Sequence, residues 1–170
     1  MGLSIVVSGG IVLFALVYIL LTIPGVVNQT VSITRASTDI SEVENSILRT
    51  NIEIDSLDAS SGSSVINFTV NSLGVEKLWN FAKFNLIITY PSASGTNTES
   101  LSYAGICSGN PSSGTWCVAS ISDDNVDPNI LNTDETLNAR SRVSQSLISG
   151  TVNTAFSTDN GIVAGRSDSI

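Results

Sequence analysis

The 170-residue chain contains no histidine. That absence removes the commonest general base and the commonest metal ligand together. Basic residues are also scarce: 7 Lys and Arg face 15 Asp and Glu, a formal net charge of −8. Phosphate backbones are held by clustered Lys and Arg, so no nucleic-acid partner is implied. An anionic lipid leaflet would repel such a chain. Only two cysteines occur, Cys107 and Cys117, too few soft ligands for a metal site without histidine. There is no Gly-rich phosphate loop and no G-x-S-x-G, and the nearest Ser/Gly-rich stretch, ASSGSS, reads as an ordinary loop. These absences argue against an enzyme and imply no cofactor. What is abundant is Ser, Thr and Asn, with charged residues at only 13%, a composition suited to surfaces outside a cell.

Charge is also missing from the whole opening segment. No charged side chain lies between Met1 and Pro24, and the first basic residue is Arg35. As a helix, the apolar run from Leu3 to Ile23 would cover about 30 Å, the thickness of a hydrocarbon core. A secretory signal peptide would show a basic start, a shorter apolar core and a small-residue cleavage site. A buried core helix would need a domain able to wrap all its faces. A helix that stays in the chain, in lipid or in a helical bundle, fits the length best. Ser8, Gly9 and Gly10 form a small-residue notch of the kind that lets helices approach closely. No Lys or Arg flanks the run, so the bulky acidic remainder suggests the N-terminus in and the following domain out, across a cytoplasmic membrane.

Beyond Pro24 and Gly25, a possible kink or short break, apolar residues fall at Ile33, Ala36, Ile40, Val43 and Ile47. The steps alternate three and four, which is a heptad seam. It could pack on another copy, on a partner's helix or on the chain's own domain. From Asn51 the period changes to two. NIEIDSL, SVINFTVNSL, FNLIITY, ESLSYA, TWCVASI, TLNARSRV, TVNTAF and GIVAG read as short strands. SSGSS, PSASGTN and CSGNPSSG between them are turn composition. Alternation places Phe84, Leu86, Ile88 and Tyr90 on one face with Ile87 opposite. The stretch EKLWNFAKF interrupts the alternation and reads as a crossover whose aromatics, Trp79 and Phe81, plug the core. The predicted organisation is a membrane and stalk helix over residues 1–48, then an all-β antiparallel sandwich of seven or so strands over residues 49–170.

Cys107 and Cys117 bracket nine residues rich in turn formers. In an exported domain they are disulfide candidates, the alternative being two free thiols. Asn28-Gln29-Thr30 and Asn67-Phe68-Thr69 are glycosylation sequons, whereas Asn110-Pro111-Ser112 is excluded by its proline. The acidic run SDDNVDPNILNTDET does not match the spacing of an EF-hand and reads as a solvated inter-strand loop.

The order of MGLSIVVSGGIVL, an amphipathic extension ending ILRTNIEI, then INFTVNSLGVEKLWNFAKFNLIITY, GTWCVASISDDNVDPNILNTDET and GIVAG resembles a known family. It is similar to the stator proteins of the archaeal motility filament, the archaellum: FlaF (ArlF), with FlaG (ArlG) a close relative. The resemblance spans nearly the whole chain, through hydrophobic patterns. It implies an N-terminal membrane helix and an immunoglobulin-like sandwich outside the cytoplasmic membrane. It also implies as partners the surface-layer protein, a FlaG-like filament or other motor components, and a second copy through the sandwich. NILNTDET departs from the related pattern in which Pro-Gly precedes the glutamate, since Thr133 and Asp134 stand there. The alternative is a type IV pilin-like or archaellin-like filament subunit, with residues 1–48 as filament core. A third reading is a tethered carbohydrate- or ligand-binding sandwich, for which Trp79 and Trp116 would be the aromatics if exposed.

Overall fold

A computed structural model describes the backbone of residues 2–124 and 127–170, and the side chains of all of these except residues 2–6 and 23–30. The chain divides into two compact units, Met1–Glu44 and Asn45–Ile170.

The described residues of the first unit, 2–44, are all helical. They belong to α1, Gly2–Arg49, which runs without a break through Pro24 and Gly25. Three of its hydroxyls bond back to carbonyls one turn earlier, a contact that slightly weakens and bends helices. Thr22 Oγ1 donates to the Tyr18 carbonyl at 3.0 Å, Thr38 Oγ1 to Thr34 at 3.0 Å and Ser41 Oγ to Ser37 at 2.9 Å. The apolar side chains from Val7 to Leu21 are exposed. Among the described residues no helix is long and apolar enough to cross a membrane; the expected span of residues 3–23 falls partly outside the described side chains.

The second unit is a β-sandwich of eight strands: β1 Ile52–Ala59, β2 Val65–Ser72, β3 Asn85–Ser92, β4 Gly95–Ile106, β5 Thr115–Ser122, β6 Thr136–Arg142, β7 Thr151–Ser157 and β8 Val163–Ser169. The strand order is β1-β2-β6-β5-β4-β3-β7-β8. The expectation of a wholly antiparallel sandwich is corrected by one pair, because β4 and β5 run parallel. The cause is that β4 serves both layers. Its first half, up to Leu101, pairs with β3, and its second half, from Ser102, pairs with β5. The change of partner is accompanied by a register shift between Tyr103 and Ile106 and by Gly105 at φ +92°, a left-handed conformation suited to glycine. The two end strands of the order, β1 and β8, lie side by side, and Arg166 Nη1 donates to the Ile54 carbonyl at 3.3 Å. The sandwich is thus nearly a closed barrel, although β1 and β8 each carry a backbone ladder on one side only.

The core follows the alternation read from the sequence. Ile66, Phe68 and Val70 of β2, and Phe84, Leu86, Ile88 and Tyr90 in and before β3, are all buried, while Ile87 is exposed. Phe156 of β7 is its aromatic centre. Its ring meets Phe68 and Phe84 at 5.7 Å and Trp116 at 5.3 Å, all edge-on, the geometry that ring quadrupoles favour. β5 departs from alternation: Trp116, Cys117 and Val118 are all buried. The disulfide arm from Cys107 covers what would otherwise be the outer side of β5.

The end of α1 is built into this unit. The Arg49 carbonyl, one of the unpaired carbonyls at a helix end, accepts from the Val75 N–H at 2.9 Å, and the Asn51 carbonyl from those of Leu73 at 2.8 Å and Gly74 at 3.0 Å. Asn160, after β7, places its Nδ2 3.1 Å from Ser46 Oγ and 2.6 Å from Thr50 Oγ1. Gly74 makes the approach possible. A Cβ there would lie 2.3 Å from the Arg49 oxygen and 2.5 Å from the Asn51 nitrogen, both backbone atoms that cannot swing away. Gly74→Ala is therefore expected to destabilise the domain by about 3 kcal/mol, read as a lower urea midpoint with the slope unchanged.

Candidate functional site

The residues singled out from the sequence do not converge on one place. Cys107 and Cys117 are joined by a disulfide, with Cα atoms 5.2 Å apart, that ties the end of β4 to β5. The backbone supports the same junction, since the Cys107 N–H donates to the Val118 carbonyl at 2.8 Å. Asn67 is half-buried in the middle of β2, and its Oδ1 accepts from Arg140 Nε at 3.0 Å. The Asn28 side chain lies outside the described residues. Of the heptad seam, Ile33, Ala36, Ile40 and Val43 are exposed and Ile47 is half-buried.

The EKLWNFAKF stretch corrects one expectation. Phe81 is buried, but Trp79 is 63% exposed and does not plug the core. The reason is a pairing with a distant segment. Leu78 forms an isolated antiparallel bridge with Leu131, with N–H to carbonyl distances of 3.0 and 2.8 Å in the two directions. Strand-like alternation then sends Leu78 in and Trp79 out. Trp116, the other tryptophan, is fully buried.

The acidic run is more structured than a solvated loop. Glu135 is buried, and its Oε2 accepts from the Asn132 N–H at 2.8 Å. Asp123, Asp127, Asn129 and Asp134 all adopt positive φ, between 54° and 67°. Asp134, which stands where the resemblance expects glycine, thus keeps a glycine-like backbone at a residue type that tolerates it. Asp127 pairs with Lys77. Asp124 accepts from the Asn129 N–H at 2.9 Å through Oδ2, while its Oδ1 is buried without a hydrogen-bond partner among the described residues.

Trp79 and part of the acidic run do share one pocket. Trp79, Tyr103, Ile106, Ser120, Asp124 and Asn129 border a cavity of about 230 Å³ that also reaches Phe81 and β5. It lies where β4 shifts register against β5 and where β5 bulges between Val118 and Ser120 against β6. Bulges re-aim side chains, and here they open the sheet junction. Ile106 is 68% exposed, so with Trp79 it forms an apolar rim facing solvent. Among the described residues no group of three or more His, Cys, Asp or Glu is placed to hold a metal.

A second polar cluster is structural. On β4, the Glu99 carboxylate accepts from the Tyr90 and Ser144 hydroxyls, and from the Ser144 N–H at 3.0 Å. Partial burial pushes the Glu99 carboxyl up, but the bonds from the Ser144 hydroxyl, the Tyr90 hydroxyl and the Ser144 N–H together hold its pKa below the ordinary value. The Tyr90 hydroxyl is pushed up, by burial first and then by Glu99, and so stays a donor.

The class defined by these features is a β-sandwich domain preceded by a long N-terminal helix. Among solved structures, the chain shares its fold with the archaellum periplasmic stator protein FlaG from Sulfolobus acidocaldarius, at a TM-score of 0.52 and 16% identity over 70% of this chain and 99% of that one. It shares it also with a chain of the FlaF and FlaG stator complex from the same organism, at 0.52 and 18% over 69% and 87%. An archaeal flagellin from Methanocaldococcus jannaschii gives 0.53 and 9% over 71% and 89%. No protein-family model and no curated protein matches the chain.

Two outcomes are expected. Replacing both Cys107 and Cys117 by Ser costs about 3 kcal/mol in the chain-entropy account of a loop this short, measured by urea unfolding of the oxidised and variant chains. Glu99, with its pKa depressed on folding, contributes stability at pH values above its unfolded pKa that is lost as pH falls through the folded value. Glu99→Gln should lower stability near neutral pH and flatten that acid-side loss, measured by thermal unfolding across a pH series.

Proposed function

We propose that this chain is a membrane-anchored component of the archaellum stator, with an immunoglobulin-like sandwich outside the cytoplasmic membrane that contacts the surface layer. The likeness of the sandwich to the stator protein FlaG, over 99% of that chain, carries the reading. In this reading α1 is the single anchor, with its N-terminus in, and the seam of Ile33, Ala36, Ile40, Val43 and Ile47 packs against a partner helix. A cavity is not needed to accommodate Gly9 or Gly10: a Cβ at either would meet nothing within 4 Å in the chain itself, so their smallness would serve a neighbour. The chain is not an enzyme, and it needs no cofactor.

Mechanics supports the assignment. A stator resists torque through a stiff head, and a sandwich packed across two layers is stiff. The bonds from Val75, Glu76 and Asn160 secure the last turn of α1 to that head. A FlaG-like filament or other motor component and a second copy of the sandwich are the further partners in this reading, and Asn28 and Asn67 are its glycan acceptors. A filament-subunit role is the second reading, favoured by the equal likeness to a flagellin and by the exposed apolar length of α1, which a bundle would cover.

The full chain in detergent is expected to be retained on isolated surface-layer protein. No retention, together with long helical filaments by negative-stain microscopy, would overturn the stator reading in favour of the filament one.

A further inference from the structure

The pocket beside Trp79 has a chemistry that neither role requires. We propose that it is a binding site for a neutral sugar ring, the exposed face of Trp79 taking the apolar side of the ring while Asp124 and Asn129 take its hydroxyls. This goes beyond the stator reading and does not rest on it.

Four observations support it. The first is the combination of surfaces. Trp79 and Ile106 are large apolar side chains left mostly in solvent beside a concave site, although most of the domain's large apolar side chains are buried. A pyranose carries a patch of C–H groups on one face, and an indole is the side chain with the largest flat apolar surface to lay against it. The second is hydrogen-bonding complementarity. A sugar hydroxyl both donates and accepts, so a site for it needs an acceptor and a donor close together. Asp124 is acceptor-only, while the Asn129 amide and the Ser120 hydroxyl can donate, and all three border the same pocket. The third is the state of the acceptor. The Asn129 N–H already orients the carboxylate through Oδ2 at 2.9 Å, and the remaining oxygen, Oδ1, is buried with no partner among the described residues. That bond from Asn129 holds the carboxylate at the pocket before any ligand arrives. The fourth is size and charge. At about 230 Å³ the cavity is smaller than the roughly 300–1,000 Å³ typical of pockets for drug-sized ligands and suits a single ring. Among the described residues no Lys or Arg borders it, so an acidic sugar would meet Asp124 without a compensating cation.

A partner's basic side chain could also use Trp79 and Asp124, through a cation–π contact and an ion pair. It would have no use for the donors on Asn129 and Ser120, and these favour the hydroxylated ligand.

The test uses the full chain in a zwitterionic detergent without a sugar headgroup. Saturation-transfer NMR is recorded with glucose, galactose, mannose and N-acetylglucosamine, with glucuronic acid as the charged control. At least one neutral sugar is expected to bind saturably and more tightly than glucuronic acid. Because Trp116 is fully buried, tryptophan emission should follow the same titration through Trp79 alone. Trp79→Ala removes a mostly exposed side chain and is expected to weaken binding roughly tenfold with the unfolding midpoint nearly unchanged. Asp124→Asn, which keeps an oxygen for the Asn129 N–H, should also weaken it. The proposal is overturned if no neutral sugar saturates, or if Trp79→Ala binds as the parent does. It is overturned equally if only a short arginine-containing peptide binds, which would make the pocket a protein contact. Retention on surface-layer protein is a separate readout, so either idea can fail alone.

Discussion

One strand has to belong to two layers, and much of the domain depends on it. β4 leaves β3 after Leu101 and joins β5 at Ser102. An antiparallel return to β5 would need a hairpin. The chain instead runs back through residues 107–114, so β5 starts out parallel to the strand it has just left. Parallel neighbours usually need a crossover of a dozen residues or more. Here a much shorter connection is held by the Cys107–Cys117 disulfide and by the bond from the Cys107 N–H to the Val118 carbonyl. The register slips around Gly105 are the geometric consequence of the change of partner, and the pocket is the space those slips leave. Topology, cross-link and cavity have a common origin.

The same domain holds its other junction by hydrogen bonds. The end of α1 presents carbonyls that would be costly to leave unpaired, and the segment Leu73–Glu76 supplies the N–H groups. That contact is backbone to backbone, so it asks for the absence of a side chain at Gly74. Asn160 adds a side-chain contact from the far side of the sequence. Between these two junctions the aromatic rings around Phe156 fill the space between the layers, and Arg166 of β8 bridges to β1.

Much of the strand content was legible because alternation is a direct record of one buried and one exposed face. Phe84, Leu86, Ile88 and Tyr90 against Ile87 is such a record, and so is Ile66, Phe68 and Val70. Alternation is not legible where a single pair of distant bonds carries it. Nothing local to EKLWNF says that Leu78 will bridge to Leu131, more than fifty residues away, and that bridge alone turns Trp79 outward. Within the acidic run, which is the exposed loop between β5 and β6, Glu135 departs for a related reason. The run's charges are those of a solvated loop, but Asn132 folds back on Glu135 and draws that carboxylate inside. A sequence records the charge but not the donor that neutralises its burial.

The sequence by itself determined that the chain is a long apolar and then amphipathic helix followed by a strand-rich, histidine-free, acidic domain. Helical and strand periods are local properties, set within a few residues by which faces must leave water. Tertiary structure alone decided that β4 would divide itself between layers, that the sandwich would nearly close, and that Trp79, Ile106, Asp124 and Asn129 would border one pocket. Those outcomes depend on contacts between residues far apart in the chain, where periodicity carries no information and only the packing of whole layers selects the partner.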